Sequence, residues 1–208
     1  MRIPLVYSTR RLLAAGLLWS LPALAASPAP VRVRVGEAAR EFAATDVAGQ
    51  PVSLAALRGH KVLLLFMRNA GCPVCNRRMH ELMAQSADFQ ARNLTVVAVY
   101  ESSAARLREY LAQQPVPFTL LPDPEQRLYQ LYGLEVSGGK ALQSVFHGVM
   151  GKARAGKKLF TKPIEQDGNK NRIGAELLLD EQGRVAVAHY GRFIGDELPL
   201  ADIQKFIR

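Results

Sequence analysis

Cys72-Pro73-Val74-Cys75 holds the only two cysteines of this 208-residue chain. Residues three apart on a first helical turn share a face, so the two sulfurs can meet and close a small-ring disulfide. Pro73 suits the first helical position, where a missing N–H costs nothing and the fixed φ fits the turn. Cys72, at the cap, faces unpaired N–H groups and the positive end of the helix dipole, which favour thiolate over thiol. Arg68, Arg77 and Arg78 add positive charge nearby. The pattern predicts a nucleophilic Cys72 with a depressed pKa, and Cys75 as the resolving thiol that closes a Cys72–Cys75 disulfide.

Blander uses of the pair fit less well. A structural disulfide across so short a loop removes little unfolded-state entropy. A structural zinc site needs four ligands, and there is no second Cys-x-x-Cys; His80 reads as a residue on the side of the same helix. No metal and no cofactor is expected.

The elements that must hold the dithiol can be read from periodicity. Phe42 to Leu54 alternates around Asp46-Val47-Ala48-Gly49-Gln50, a hairpin leading to a short helix over Ser53 to Leu57. The apolar run through Lys61–Met67 is a buried strand ending at the cysteines. A helix follows with Cys75, Met79, Leu82, Met83, Ser86 and Phe89 at helical spacing, stopped by Asn93. Leu94–Tyr100 is a buried strand suited to parallel pairing. Ser102 or Ser103 caps a helix to about Gln113, Phe118–Leu121 is a short strand, and Asp123-Pro124-Glu125 opens a helix with Leu128, Leu131 and Tyr132. Ala175–Leu179 and Val185–Tyr190 pair around Asp180-Glu181-Gln182-Gly183, and a last helix begins near Leu198–Pro199. The order gives an α/β fold, a mixed sheet flanked by helices.

Those residues carry a resemblance. The order of elements, with Asp46…Gly49-Gln50-Pro51-Val52-Ser53-Leu54, Gly59-His60-Lys61 through Phe66, Phe118 to Asp123 and Leu177 to Gly183, resembles the alkyl hydroperoxide reductase/thiol-specific antioxidant (peroxiredoxin-like) branch of the thioredoxin superfamily. The resemblance implies a thioredoxin-like fold with an N-terminal hairpin extension and thiol-dependent redox activity. The chain departs from it twice. A peroxiredoxin places Pro, then Thr or Ser, ahead of its peroxidatic Cys; here Leu65 and Asn69 stand there, so peroxide chemistry is expected to be weaker. Ala175, after Gly174, takes the place of the proline that thioredoxins set opposite the dithiol.

Other side chains have two readings each. Asn69 either hydrogen-bonds a substrate oxygen or the Cys72 sulfur, or simply turns the loop. Arg68 either orients that loop or points to solvent. Arg172, near the loop facing the dithiol, either neutralises the thiolate or is a solvated loop charge, the latter favoured. His147 and His189 stand far from any second ligand in sequence.

Residues 1–25 read as a signal peptide. Arg2, Arg10 and Arg11 precede a short apolar stretch from Leu12 to Leu24, and Ala23-Leu24-Ala25 is the cleavage site. Export is expected by the Sec route, with Thr9-Arg10-Arg11-Leu12-Leu13 as a twin-arginine alternative, which places the protein in a periplasm. Residues 26–33 are a tether, and 34–208 one domain.

A basic insert lies at about 138–172. Its Lys140–Arg172 span holds eight Lys/Arg against Glu165 and Asp167, so it alone carries the net +6 left on the chain once three signal arginines are removed from +9. It reads as a solvated loop whose apolar half, Val145 to Met150, can pack as a short amphipathic helix; contact with a membrane surface is a lesser reading. With only Phe146 and Phe160 for stacking, no nucleic-acid role is expected.

The function expected from residues and resemblance together is an exported thiol–disulfide oxidoreductase. Hydroperoxide reduction, with Cys72 peroxidatic and Cys75 resolving, is the near alternative, and a copper-binding thioredoxin-fold chaperone the second. The partners are a protein or small-molecule disulfide, or a hydroperoxide, together with a further redox partner.

Overall fold

Asp46 folds the N-terminal hairpin by accepting the N–H groups of Ala48 and Gln50 on Oδ1 at 2.9 and 2.8 Å. The strands it joins are Ala43–Thr45 (β1) and Pro51–Ser53 (β2), followed by a 3-10 turn, Ala55–Leu57. The computed structural model describes residues 31–208; the segment expected to be a signal peptide and most of the expected tether lie outside the described residues.

Lys61–Phe66 (β3), Leu94–Tyr100 (β4) and Thr119–Pro122 (β5) run parallel, while Ala175–Leu179 (β6) and Val185–Tyr190 (β7) complete the sheet antiparallel, in the order β5-β4-β3-β6-β7. β3 is central, and Val62 through Phe66 are all buried, because helices or loops cover both sides of it. Leu63 and Leu65 face a core with Met79, Leu82, Leu107, Tyr110 and Ile203. Val62, Leu64 and Phe66 face the opposite core, with Phe42, Leu54, Tyr129 and Tyr132. Each fully buried side chain of this size contributes about 1.5–3 kcal/mol relative to exposure.

The helices are Pro73–Met83 (α1), Ser86–Ala91 (α2), Ala104–Gln113 (α3), Arg127–Leu131 (α4), Gly138–Gln143 (α5), Val149–Lys157 (α6) and Leu200–Ile207 (α7). Ser103 caps α3 by accepting the Arg106 N–H at 3.2 Å. Asp123 serves α4 similarly, its carboxylate accepting from Arg127 and Leu128 at 3.0 and 2.8 Å.

Two expectations need correction. The helix expected through Cys75 and Phe89 is two helices, because the Gln85 N–H bonds to Leu82 O, only three residues back, and tightens the ladder there. Asn93 does end the second, at φ 57°. Over residues 138–157 the basic insert is not a solvated loop. It folds as α5, a 3-10 turn over Ser144–His147, and α6, and α6 packs on α1. Gly156 is what permits this: a Cβ there would overlap Pro73 O. Asn76 locks the contact, donating to Gly156 O at 3.2 Å while its Oδ1 accepts from the Tyr110 hydroxyl at 2.9 Å.

Candidate active site

β3 and β4 end side by side, and the loops leaving them build the site. Such carboxyl ends of parallel strands are where α/β folds assemble ligand sites. The loop Met67–Gly71 is stitched to the end of β4 by Glu101 N–H to Arg68 O at 3.1 Å and Ala70 N–H to Ser102 Oγ at 2.8 Å. It delivers Cys72 to the N-cap of α1, with Pro73 at the first helical position as expected.

The two sulfurs lie 2.6 Å apart. Both cysteines are free thiols, so a small movement closes the disulfide. Cys72 Sγ also accepts the Cys75 N–H at 3.2 Å, and Cys75 Sγ accepts the Arg68 N–H at 3.4 Å. Burial by itself would raise the Cys72 thiol. The bond donated by the Cys75 thiol, the Arg68 charge and the N–H groups of Cys75 and Val74 outweigh it and bring the pKa down to about 7. Cys75 goes the other way. Burial, the proton it shares with Cys72 and the negative charge arising there push it well above the ordinary thiol value. The two thiols are thus split as acid–base partners must be.

Among the arginines, Arg68 alone acts on Cys72; its Nη2 also reaches Gln166 Oε1 at 3.4 Å. Arg77 and Arg78, expected to help, are spent elsewhere. Arg77 pairs with Glu197. Arg78 is buried and gives Glu176 a two-pronged ion pair, at 2.8 and 2.5 Å, which ties α1 to β6. The favoured expectation for Arg172, a solvated loop charge, is also corrected. It is buried, pairs with Glu101, donates to Leu134 O at 3.2 Å and to Gln126 Oε1 at 2.6 Å, and stacks over the Tyr129 ring at 4.9 Å. A charge held so completely by a carboxylate is not solvated, and Arg172 also lines the cleft that reaches Cys75.

Asn69 is 0% exposed, three residues before Cys72, and neither its Nδ2 nor its Oδ1 has a hydrogen-bond partner among the described residues. A buried amide left without partners costs free energy, and this one lies in the loop that leads into the nucleophile, where the Cys72 N–H donates to the Asn69 carbonyl at 3.1 Å. Tyr100, read from sequence only as the end of a strand, shares the feature: its ring is buried in the same core as both cysteines and its hydroxyl is unpartnered among the described residues. Burial first, then Tyr110 and the thiols, push that hydroxyl well up, so it stays a neutral donor.

The returning end of the insert covers Cys72. Gly71 lies against the backbone of Ile164 and Glu165, and Cys72 is 1% exposed against 8% for Cys75. The cover is fastened by Ser102 Oγ to Asp167 at 2.5 Å, Asn169 N–H to Glu101 at 2.5 Å, Arg106 to Glu165 at 2.8 Å and the N–H groups of Thr161 and Lys162 to Gln113 at 3.0 Å. A cleft on the other side, walled by Arg68, Val74, Arg78, Ile194 and Gly195, reaches Cys75. Neither the cover nor which cysteine the cleft reaches is readable from periodicity. Among the described residues no three His, Cys, Asp or Glu side chains cluster as metal ligands.

A thioredoxin-like fold carrying a cysteine pair at a helix cap defines a thiol-dependent oxidoreductase. The profile of the AhpC/TSA family matches residues 35–154, more than half of the chain, and the chain belongs to that family. A Mycobacterium tuberculosis protein provisionally named as a peroxiredoxin is 26% identical over 162 residues, 76% of this chain and 86% of the relative. Peroxiredoxin Q of Oryza sativa subsp. japonica is 26% identical over 103 residues, covering 50% of this chain and 48% of the relative. In fold, the M. tuberculosis peroxidoxin BcpB superposes with a TM-score of 0.60 at 14% identity, over 85% of this chain and 95% of that one. A Chlorobium tepidum protein provisionally named as the thiol:disulfide interchange protein DsbE gives 0.56 at 22% identity, over 84% and 93%.

Proposed function

We propose that Cys72 and Cys75 are the redox couple and that a small hydroperoxide, in preference to a protein disulfide, oxidises it. The observation that carries this is a Cys72 only 1% exposed, next to a Gly71 pressed against the Ile164–Glu165 backbone, with the unpartnered buried amide of Asn69 three positions earlier in the same loop. A folded protein's disulfide cannot reach a sulfur so enclosed; a peroxide of a few heavy atoms can, and it can exchange hydrogen bonds with an amide. The Cys72 thiolate attacks one peroxide oxygen, the O–O bond breaks, and the other oxygen leaves as alcohol or water after taking a proton, giving Cys72 sulfenic acid. Cys75, still protonated, then attacks that sulfur, forming the disulfide and releasing water. An external thiol reductant returns two electrons.

The test compares Asn69→Leu, which keeps the volume and removes both polar atoms, with the parent. The second-order rate with hydrogen peroxide is expected to fall by about tenfold or more, the loss of one to two hydrogen bonds in the transition state. Alkylation of Cys72 by iodoacetamide, a small electrophile with no peroxide oxygens, should be unchanged. Equal loss in both reactions would remove Asn69 from peroxide binding.

A second reading, thiol–disulfide exchange, is supported by the adjacency of the two sulfurs, 2.6 Å apart, since such a pair cycles between dithiol and disulfide with any suitable partner. Turnover of a protein disulfide by the wild type at a rate matching its peroxide turnover would favour it.

We also propose export to a periplasm. Arg2, Arg10, Arg11, the following apolar stretch and Ala23-Leu24-Ala25 support it. N-terminal sequencing of the periplasmic protein should begin at Ala26 or Ser27; an intact Met1 on soluble cytoplasmic protein would reject it.

A further inference from the structure

From Ser137 to Pro163 the chain has six Lys/Arg and no acid. α5, the 3-10 turn and α6 spend one face on the domain. Ala141, Val149 and Ala153 pack against the core, and buried Ser144 accepts the Ile194 N–H at 2.7 Å. A helical segment whose inner face is used in this way ordinarily shows polar side chains outward. Here Leu142, Val145, Phe146 and Met150 are exposed instead, Leu142 to 69% and Phe146 to 84%. In the same segment Arg154, Lys157, Lys158 and, past the end of α6, Lys162 are exposed and make no ion pair among the described residues, while Lys140 and Lys152 are held by Glu135 and Glu197.

The face is therefore apolar and cationic at once, which selects a partner apolar and anionic at once. We propose that the outer face of α5 and α6 is a docking surface for an anionic lipid bilayer. Leu142, Val145, Phe146 and Met150 enter the headgroup–acyl boundary, and the four unpaired cations lie on phosphates. An acidic protein is the less good match, because side chains exposed to this degree stand proud of the surface and need a yielding apolar phase more than a fixed counter-relief. α6 packs on α1 through Gly156 and Pro73, so docking brings the dithiol helix beside the bilayer. The surface does not depend on which oxidant Cys72 takes.

The full chain, a Phe146→Ser/Met150→Ser variant and a Lys157→Glu/Lys158→Glu variant are floated with mixed phosphatidylglycerol/phosphatidylcholine vesicles and with pure phosphatidylcholine vesicles. The parent is expected to bind the anionic vesicles about tenfold or more tightly than the neutral ones, and each variant to lose about tenfold or more of that binding. Raised salt should weaken the parent. Dithiol turnover with a soluble peroxide should stay at the parental level in both variants. Binding that is equal on the two vesicle types, or that survives both variants, overturns the proposal. So does failure to bind anionic vesicles while soluble polyglutamate is bound, which would assign the face to an acidic protein.

Discussion

Gly71 and Ile164 meet backbone to backbone: a Cβ at position 71 would overlap the Ile164 carbonyl oxygen. The residue before the nucleophile and a residue ninety-odd positions later thus form the roof of the dithiol. The fit leaves room for no side chain, and it makes the returning end of the insert, at Ile164 and Glu165, a part of the site.

Gly156→Ala should lift that roof from its other end. The added Cβ overlaps Pro73 O, so α6 must move off α1, at a cost of about 1–3 kcal/mol in stability. Labelling of Cys72 by a bulky maleimide should then accelerate relative to iodoacetamide, as read by peptide mass spectrometry. Equal labelling by both reagents in the parent would show that the cover is no barrier.

The pH dependence follows from Cys72. Its pKa of about 7 lies below the 9.0 of a free thiol, so the thiolate is present above pH about 7 and lost below it. Peroxide reactivity should rise with pH through an inflection near that value and level off, rather than climb to the ordinary thiol range. Arg68→Gln removes a charge that lowers the pKa and should move the inflection upward. Thiolate absorbance followed through a titration checks both.

The thiols should behave unequally. Cys75→Ser should accumulate sulfenic acid or a mixed disulfide on Cys72, and Cys72→Ser should be nearly inert, because only Cys72 sits on the cap with its pKa lowered while Cys75 is pushed well up. Alkylation and mass spectrometry of each variant after one equivalent of peroxide decide it. Full turnover by either single variant would end the division of labour.

Glu176→Gln should be among the more damaging single changes. It leaves the buried Arg78 with Glu81 alone, at 2.9 Å and partly exposed, in place of its two-pronged buried partner, and breaking a buried pair costs up to about 3–5 kcal/mol. Urea unfolding should show it, and Arg78→Met combined with Glu176→Leu should recover much of the loss, since a well-packed apolar pair replaces a buried ion pair at little cost.

Local signals made the frame readable. Val62–Phe66 is apolar at every position because both its faces are covered, Asp46 and Ser103 sit where a turn and a cap need their oxygens, and Cys72-Pro73-Val74-Cys75 carries its own geometry in three residues of spacing. The turn, the cap and the dithiol are interactions among near neighbours in the chain, so residue type and spacing determine them, and the strand's two-sided burial shows as an unbroken apolar run. What tertiary structure alone decided is which charges meet. Arg68, Arg77, Arg78 and Arg172 are alike in sequence, yet only Arg68 acts on Cys72, because Glu197, Glu176 and Glu101 arrive from distant segments to take the other three. The same holds for the insert. Its composition reads as solvated, but Gly156 and Gly71 let two backbones approach closely enough to seal Cys72, and no period or propensity encodes a contact between residues so far apart along the chain.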